Sequence, residues 1–525
     1  MGLFLGIDAG TQSVKGILID PDSGWCSKTV SVHFGRDLPQ YRSPDGFLPN
    51  PDPRIRRADP RMWLSALDLL LARMEEAGLP LEQVEGISGS GQQHGTVYLN
   101  GRFPERLRNL KKDLPLAEQL EDVFSRETAP IWLDASTGAE CRALRQRFGS
   151  RLRQDTGSDA AERFSGPQIM KFAGENPDPW QKTATVHLVS SFLASVLAGE
   201  NMPIDYGDGA GMNLLNLHSF RWDREIAEFT APNLIGKLPP CVPSDQVSGK
   251  LAEYFTRYGL RSGIPVTVWS GDNPNSLIGC GGTGSATAVI SLGTSDTFFG
   301  TLRNYADAPR KSGHVFGHPA GGFMSLVCFA NGSLTREHFR KRYALSYAEF
   351  DAAAAAAEPG KYRLLPFLTP ESTPFISRPG IRYDFDPAAI SPGEMIRALL
   401  ESQILTMRRH AELKQRPAQI RLTGGASASP LLRQLIADIF QAPVLIGESA
   451  ESAALGAAMR AANSIVGTDF ETLTEKFCRV DARIPFHPAL AKTYDRALEA
   501  FTRLLNDRLK DHPEKAERGG TVHGS

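Results

Sequence analysis

The sequence predicts an α/β fold built as two halves of one plan, and three observations predict it. Strand-like and helix-like segments alternate along most of the 525 residues, the pattern of sheets covered by helices. Two stretches, "GIDAGTQSVKGILI" from Gly6 and "VISLGTSDTFFGTL" from Val289, each read as strand, Gly-Thr-polar turn, strand. That is self-similarity on the scale of half a chain. The length also exceeds what one core fills, so about two to four domains are expected.

The elements follow in order. Leu3–Asp8 and Val14–Ile19 are β-rich runs flanking the first turn. Residues 35–57 are polar and proline-rich and predict a long surface loop. Asp59 and Pro60 open a helix as N-cap and first helical residue. Trp63, Leu67, Leu70 and Met74 share its buried face, and Gly78 closes it. Val84–Ser88 is a strand stopped at Gly89. The longest uncharged stretch, Thr183 to Gly199, predicts a buried core helix rather than a membrane span. Residues 245–265 lead from one half to the next and are expected to act as a hinge. Val266–Ser270, Ala288–Leu292, Gln419–Thr423 and Val444–Ile446 are further strands. Ser429 and Pro430 start one late helix, and "ESAALGAAMRAA" is another. The expected domains are 1–255 and 256–510, with 511–525 a disordered tail.

Composition removes several function classes. Lys+Arg number 58 against 59 Asp+Glu, too balanced for a dedicated nucleic-acid binder. The six cysteines are scattered with no CxxC pair, so they read as reduced thiols of a cytoplasmic protein rather than a disulfide frame or zinc site. No secretory signal is apparent at the N-terminus.

The turns carry the chemistry. A Gly-Thr turn between strands presents successive N–H groups and a hydroxyl to an anion. Two such turns in equivalent halves suggest two jaws on one polyphosphate. Asp8 beside the first turn repels phosphate but can hold a hard cation that bridges phosphates. No GxxxxGK[ST] occurs, which removes a P-loop enzyme. Gly279–Gly284 fits GxGxxG, but it follows a helix-like segment and precedes a strand, the reverse of the dinucleotide context.

With these strings on the page, the sequence resembles the FGGY carbohydrate kinases of the actin-like ATPase superfamily, and within them the eukaryotic-type xylulose kinases. The resemblance runs over residues 3–462. "GIDAGTQSVK" and "VISLGTSDT" look like the two phosphate motifs, "LTGGASASPLLRQLIADIFQAPV" like the adenosine motif and "WSGDNPNSLIG" like the catalytic segment. "ISGSGQQHGTVYL", "APIWLDASTGAECRAL", "ERFSGPQIMK" and "PIDYGDGAGMNLL" look like sugar-side segments. The resemblance implies two actin-like (ribonuclease H-like) domains with an interdomain cleft. It implies a kinase that moves the γ-phosphoryl group of ATP, with Mg2+, to D-xylulose, and no nucleic-acid or membrane partner. Another ketose or polyol acceptor (ribulose, gluconate, glycerol) is the nearest alternative. A non-catalytic actin-like ATPase is the alternative from another class.

The resemblance assigns roles residue by residue. Asp272, on a Gly turn at a strand's carboxyl end, is implied to be the base that takes the acceptor's proton; as a bare pattern it also fits an Asx-turn. His94, Gln93 and Asn273 are implied to contact the sugar, a neutral imidazole being able to donate and accept. Arg163 is implied to do the same, a salt-bridge role being equally open. Asp205 and Asp208 either hold hydroxyls or cap a helix. Thr11, Gln12, Ser13, Gly293, Thr294 and Ser295 are implied to hold phosphates, and Asp8 the metal. Gly424 and Gly425 are expected to let backbone approach the nucleotide. Tyr347 is implied to lie against adenine. Ser429 stands where relatives carry asparagine, and its capping of Pro430 is the nearer role.

Overall fold

The computed structural model describes residues 2–511 except 285 and 448–450. These form two compact units: unit 1 from 2–283, 316–322 and 451–478, and unit 2 from 284–315, 323–447 and 479–511.

Unit 1 is built on strands β1 (Leu3–Ala9), β2 (Ser13–Asp20), β3 (Val84–Gly91), β4 (Val247–Lys250), β5 (Pro265–Thr267) and β6 (Ser270–Gly271), with helices α1 (Pro60–Glu76) and α2 (Asp272–Gly279). The sheet runs β4–β5–β3–β1–β2, and β6 pairs β3. β1 lies parallel to β3 and antiparallel to β2. Its near-continuous apolar sequence suits a central strand buried on both faces. Asp59 caps α1 by accepting from the Arg61 N–H, and Trp63, Leu67, Leu70 and Met74 are all buried.

Unit 2 repeats that core. Its strands are β7 (Thr287–Leu292), β8 (Asp296–Leu302), β9 (His314–Gly317, of which 316 and 317 belong to unit 1) and β10 (Phe323–Phe329), and its helices α3 (Ser333–Arg342), α4 (Tyr347–Ala355) and α5 (Pro392–His410). β11 (Gln419–Thr423), α6 (Pro430–Phe440) and β12 (Val444–Ile446) follow. β7 is antiparallel to β8 and parallel to β11, the same relation that β1 has to β2 and β3. The duplication seen in the two turns is therefore a duplication of the strands that hold them. The chain then returns to unit 1 with α7 (Ser452–Val466), which packs on β1, β2 and β3. It ends in unit 2 with β13 (Ala482–Ile484) and the helix Ala491–Asp511.

Four expectations are corrected. The break between units falls at 283/284, not at 255/256, because β5 and β6 pair with β3 of the first sheet. For the same reason residues 245–265 lie inside unit 1 and form no hinge. The stretch from Thr183 is a strand to Leu188, paired with Thr96–Asn100, before the buried helix Val189–Ala198 begins; its Thr and Val suit a strand as well as a helix. The strand expected over Val266–Ser270 is split at Val268 and Trp269. There the Trp269 ring lies so close under Gly89 that a Cβ on that glycine would fall 2.1 Å from the indole. The loop 35–57 begins in two short helical turns, Phe34–Asp37 and Pro39–Tyr41. The tail expected to be disordered lies, from 512 onward, outside the described residues. Among those described, no helix is long and apolar enough to cross a membrane.

Candidate active site

Unit 1 gathers most of the predicted residues at the carboxyl ends of β1, β3 and β6. Asp8 stands opposite Ser90 in the β1–β3 register, and Ser270 opposite Ser90 in the β6–β3 register. The turn that follows Asp8 is closed by the Gly10 N–H donating to the Ser13 carbonyl at 3.0 Å. The 35–57 loop buttresses it. The Phe34 N–H donates to the Gln12 carbonyl at 3.0 Å, and Gly46, at φ +86°, sits so close that a Cβ would fall 1.7 Å from the Thr11 carbonyl oxygen. The Thr11 hydroxyl accepts from Trp132 Nε1 at 2.8 Å. Trp132 is a neighbour that sequence patterning did not single out.

Asp272 is the first residue of α2. Its Oδ1 accepts from the Asn273 N–H at 2.8 Å and from the Gln93 N–H at 3.4 Å. Asn273 Nδ2 donates to Gln93 Oε1 at 2.8 Å. Three predicted residues thus form one hydrogen-bonded group. Burial pushes the Asp272 acid up to about 6, against those N–H groups, which favour its anion. Burial, and then the Asp272 charge, push Asp8 up to about 7. Asp8 Oδ1 is sealed from solvent and, among the described residues, accepts no hydrogen bond, although the Ser90 hydroxyl opposite it works against the upward shift.

His94 is 5% exposed and held at φ +69°. Its ring stacks on Phe164 at 4.3 Å, and the guanidinium of Arg163 lies 5.9 Å from the centre of that Phe164 ring. Nδ1 lies 2.8 Å from the Gly211 carbonyl. Burial lowers the imidazole to about 3, so it is neutral. Since a carbonyl only accepts, the ring proton sits on Nδ1 and Nε2 is left as an acceptor. The donor of this neutral imidazole is spent on the Gly211 carbonyl, so acceptance through Nε2 is what remains for another group. Asp205 caps the short helix at Tyr206 by accepting from the Asp208 N–H at 2.8 Å, and Asp208 accepts from the Ser190 hydroxyl at 2.5 Å. Asp205 is satisfied at both oxygens, its Oδ2 accepting from the Ser244 hydroxyl at 2.6 Å, whereas Asp208 Oδ1 is buried and, among the described residues, accepts no hydrogen bond.

Unit 2 holds the other set. Gly293, Thr294 and Ser295 form the turn between β7 and β8, with Thr294 and Ser295 exposed. Asp296, the next residue, is buried and takes a bidentate ion pair from Arg336 at 2.7 and 2.9 Å. That pair anchors the turn. Gly424, at φ +90°, is required by the fold itself, because a Cβ there would fall 2.5 Å from the Leu292 carbonyl oxygen. Gly425 differs: among the described residues nothing lies within 4 Å of its Cβ position. Gly424 thus answers to the neighbouring strand, while the space beside Gly425 is open. Ser429 caps α6 by accepting from the Leu432 N–H at 3.1 Å, and its hydroxyl donates to Asp351 at 2.6 Å. Tyr347 is 73% exposed. The Arg340 guanidinium lies 4.6 Å from the centre of its ring, and its hydroxyl donates to Glu337 at 3.2 Å.

The N-terminal domain of the FGGY family of carbohydrate kinases matches residues 126–279, and its C-terminal domain matches residues 288–465. The chain belongs to the FGGY family of carbohydrate kinases. Among its relatives are "Xylulose kinase 2" of Arabidopsis thaliana, 38% identical over 492 residues, and "Xylulose kinase" of Mus musculus, 39% identical over 480. Each alignment covers 88% of this chain, and 87% and 86% of the relatives. The solved xylulose kinase from Rhodospirillum rubrum superposes with a TM-score of 0.81 at 22% identity, over 97% of this chain and 99% of that one. That likeness shows the two-domain actin-like fold. The break between the two matched domains brackets the 283/284 division of this FGGY kinase.

Proposed function

We propose that the chain transfers the γ-phosphoryl group of ATP to a hydroxyl of D-xylulose, giving xylulose 5-phosphate and ADP. The observation that carries the acceptor is the 38–39% identity to plant and mammalian xylulose kinases over 88% of the chain. The geometry supports the chemistry.

Asp272 is the base. Held at about 6, it is ionised at neutral pH yet close enough to it to take a proton. As the acceptor oxygen bonds to the γ-phosphorus, its proton passes to Asp272 and the bond to the β-phosphate oxygen breaks. The transition state of such transfers is loose, so positioning and charge neutralisation supply most of the acceleration. Gln93 and Asn273 fix the Asp272 carboxylate, and neutral His94 offers Nε2 to an acceptor hydroxyl, with Arg163 beside it. The turn at Thr11, Gln12 and Ser13 and the turn at Gly293, Thr294 and Ser295 offer N–H groups and hydroxyls to phosphate oxygens. The open space at Gly425 suits the nucleotide, and Tyr347 offers a ring face to adenine; Ser429 acts by holding α6.

Magnesium fits the residues present. Among the described residues, no three His, Cys, Asp or Glu converge on one point. Mg2+ needs only one or two carboxylates when phosphates and water complete its shell, and Asp8 has to give it a buried Oδ1 that, among the described residues, accepts no hydrogen bond. Bound with the nucleotide, the ion neutralises charge on the phosphate oxygens. The free thiols support a cytoplasmic location.

The experiment is a coupled ADP assay with Mg-ATP and D-xylulose, D- and L-ribulose, gluconate and glycerol. Turnover on xylulose at least tenfold above every other acceptor is expected. Preference for another acceptor would reject the substrate, and sugar-independent ATP hydrolysis at the same rate would reject the kinase.

A further inference from the structure

Helix α2 begins at Asp272 and packs on α7 with the two backbones in contact. A Cβ on Gly456 would fall 1.9 Å from the Asn275 carbonyl oxygen, and one on Gly279 would fall 1.9 Å from the Ser452 carbonyl oxygen. Into this seam α7 sends a cation. Arg460 is 1% exposed. Its guanidinium donates to Asn275 Oδ1 at 3.0 Å, to the Ser244 carbonyl at 2.6 Å and to the Val268 carbonyl at 2.8 Å. Among the described residues no carboxylate accepts from it. The carboxyl groups of Asp205, Asp208 and Asp245 act on it only through space, against the burial that disfavours its charge.

Asn275 passes the constraint on. Its Nδ2 donates to the Gly89 carbonyl at 3.2 Å and to the Gly271 carbonyl at 3.1 Å. The direction of this amide is forced. A guanidinium only donates, so Arg460 takes Oδ1, and the two carbonyls, which only accept, take the NH2 group. Gly271 is the residue before Asp272. Gly89 lies in β3, which leads directly to Gln93, whose N–H faces Asp272. One side chain therefore ties together the two backbone segments that define where the Asp272 carboxylate points.

An apolar residue would fill this seam at less cost than an unpaired buried guanidinium, and glycine and alanine already provide the helix contact. The arrangement fits alignment better than adhesion. We propose that Arg460 is a positioning residue of the transfer reaction, acting through Asn275 to fix the peptide that carries Asp272. The proposal rests on Asp272 being the base. A residue of this kind affects the transition state more than either ground-state complex, so its loss falls on kcat.

The test compares wild type with R460M, R460K, N275A, the double variant R460M/N275A and D272N, with both substrates varied and thermal melts recorded. R460M is expected to lose about 10- to 100-fold in kcat, the scale of a misplacement near 1 Å, with both KM values within threefold of wild type. N275A should lose a similar factor, and the double variant no more than the worse single one, because the two act in series. R460K, which can still reach the Ser244 and Val268 carbonyls, should recover the melting temperature more fully than kcat. Multiplying losses in the double variant, a loss carried by KM, or kcat that tracks the melting temperature across the set would overturn the proposal. If R460M does not fold, R460K and N275A decide by the same criteria. Full turnover by D272N would instead reject the base itself, separating that failure from this one.

Discussion

Replacing Asp272 with asparagine should make the protein more stable while abolishing turnover, and the pH dependence of the gain follows from the structure. The folded protein raises this acid from 3.8 to about 6. About two units at 1.36 kcal/mol each amount to about 3 kcal/mol. Because the folded value is above the unfolded one, the folded state holds the proton longer. Its stability is complete below pH 3.8 and is lost as pH rises through about 6. At pH 8 the wild type carries the whole penalty of about 3 kcal/mol, and at pH 4 only a small fraction of it. Asparagine keeps the shape and cannot ionise. D272N should therefore melt up to about 6 °C higher at pH 8, at about 2 °C per kcal/mol for a domain of this size, and about 1 °C higher at pH 4. Differential scanning calorimetry at the two pH values measures both. An equal gain at pH 4 and pH 8, or none at either, would refute the assignment of Asp272 as a strained, buried acid.

Other outcomes follow from the same geometry. Removing the side chain in H94A strips an acceptor hydroxyl of its partner, a loss of roughly 1–3 kcal/mol; calorimetric affinity for D-xylulose should drop about tenfold or more with ATP affinity unchanged, and an equal loss for both ligands would make His94 structural. G424A should destabilise unit 2, since its Cβ would strike the Leu292 carbonyl. G425A should melt like wild type and raise the KM for ATP alone; unchanged KM would show that no nucleotide enters that space. R336M leaves Asp296 as a buried, unpaired charge, which should cost roughly 3–5 kcal/mol in denaturant titrations, and a cost below 1 kcal/mol would show that the pair does not anchor the turn. Because Asp8 is held at about 7, binding of Mg-ATP at pH 7 should release a fraction of a proton. Titration calorimetry in two buffers of different ionisation enthalpy reads that release, and identical heats would remove Asp8 from the metal.

What could be read in the sequence was local. Asp8, the Gly-Thr turns, the Asp59-Pro60 start of α1 and the Ser429 cap each depend on a few consecutive residues, and the structure places them where the pattern did. The family motifs brought in Gln93, His94, Asp272 and Asn273, of which Gln93, Asp272 and Asn273 join in one hydrogen-bonded group. What was hidden depends on partners far apart. Asp296 stood in view beside the second turn, yet its role is set by Arg336, 40 residues away. Arg460 and Asn275 are 185 residues apart, and no local pattern links them. The unit boundary was misplaced because β5 and β6 are short, and only their pairing with β3 shows which sheet they join. Gly424 and Gly425 are identical letters; the neighbouring strand decides that one is a fold requirement and the other is not.

The return of α7 to unit 1 has a consequence for how the protein is made. The strands it covers, β1, β2 and β3, are complete by Gly91, but the segment that covers them ends at Cys478. At about 5–20 residues per second, the ribosome needs on the order of 20–80 s to supply it. Throughout that time the apolar face of the first sheet has no cover of its own, although unit 2 is being added behind it. Unit 1 therefore cannot finish folding during its own synthesis. A nascent or truncated chain lacking residues 451–478 presents that face to chaperones and to other chains, and the enzyme matures only when almost all of it has left the ribosome.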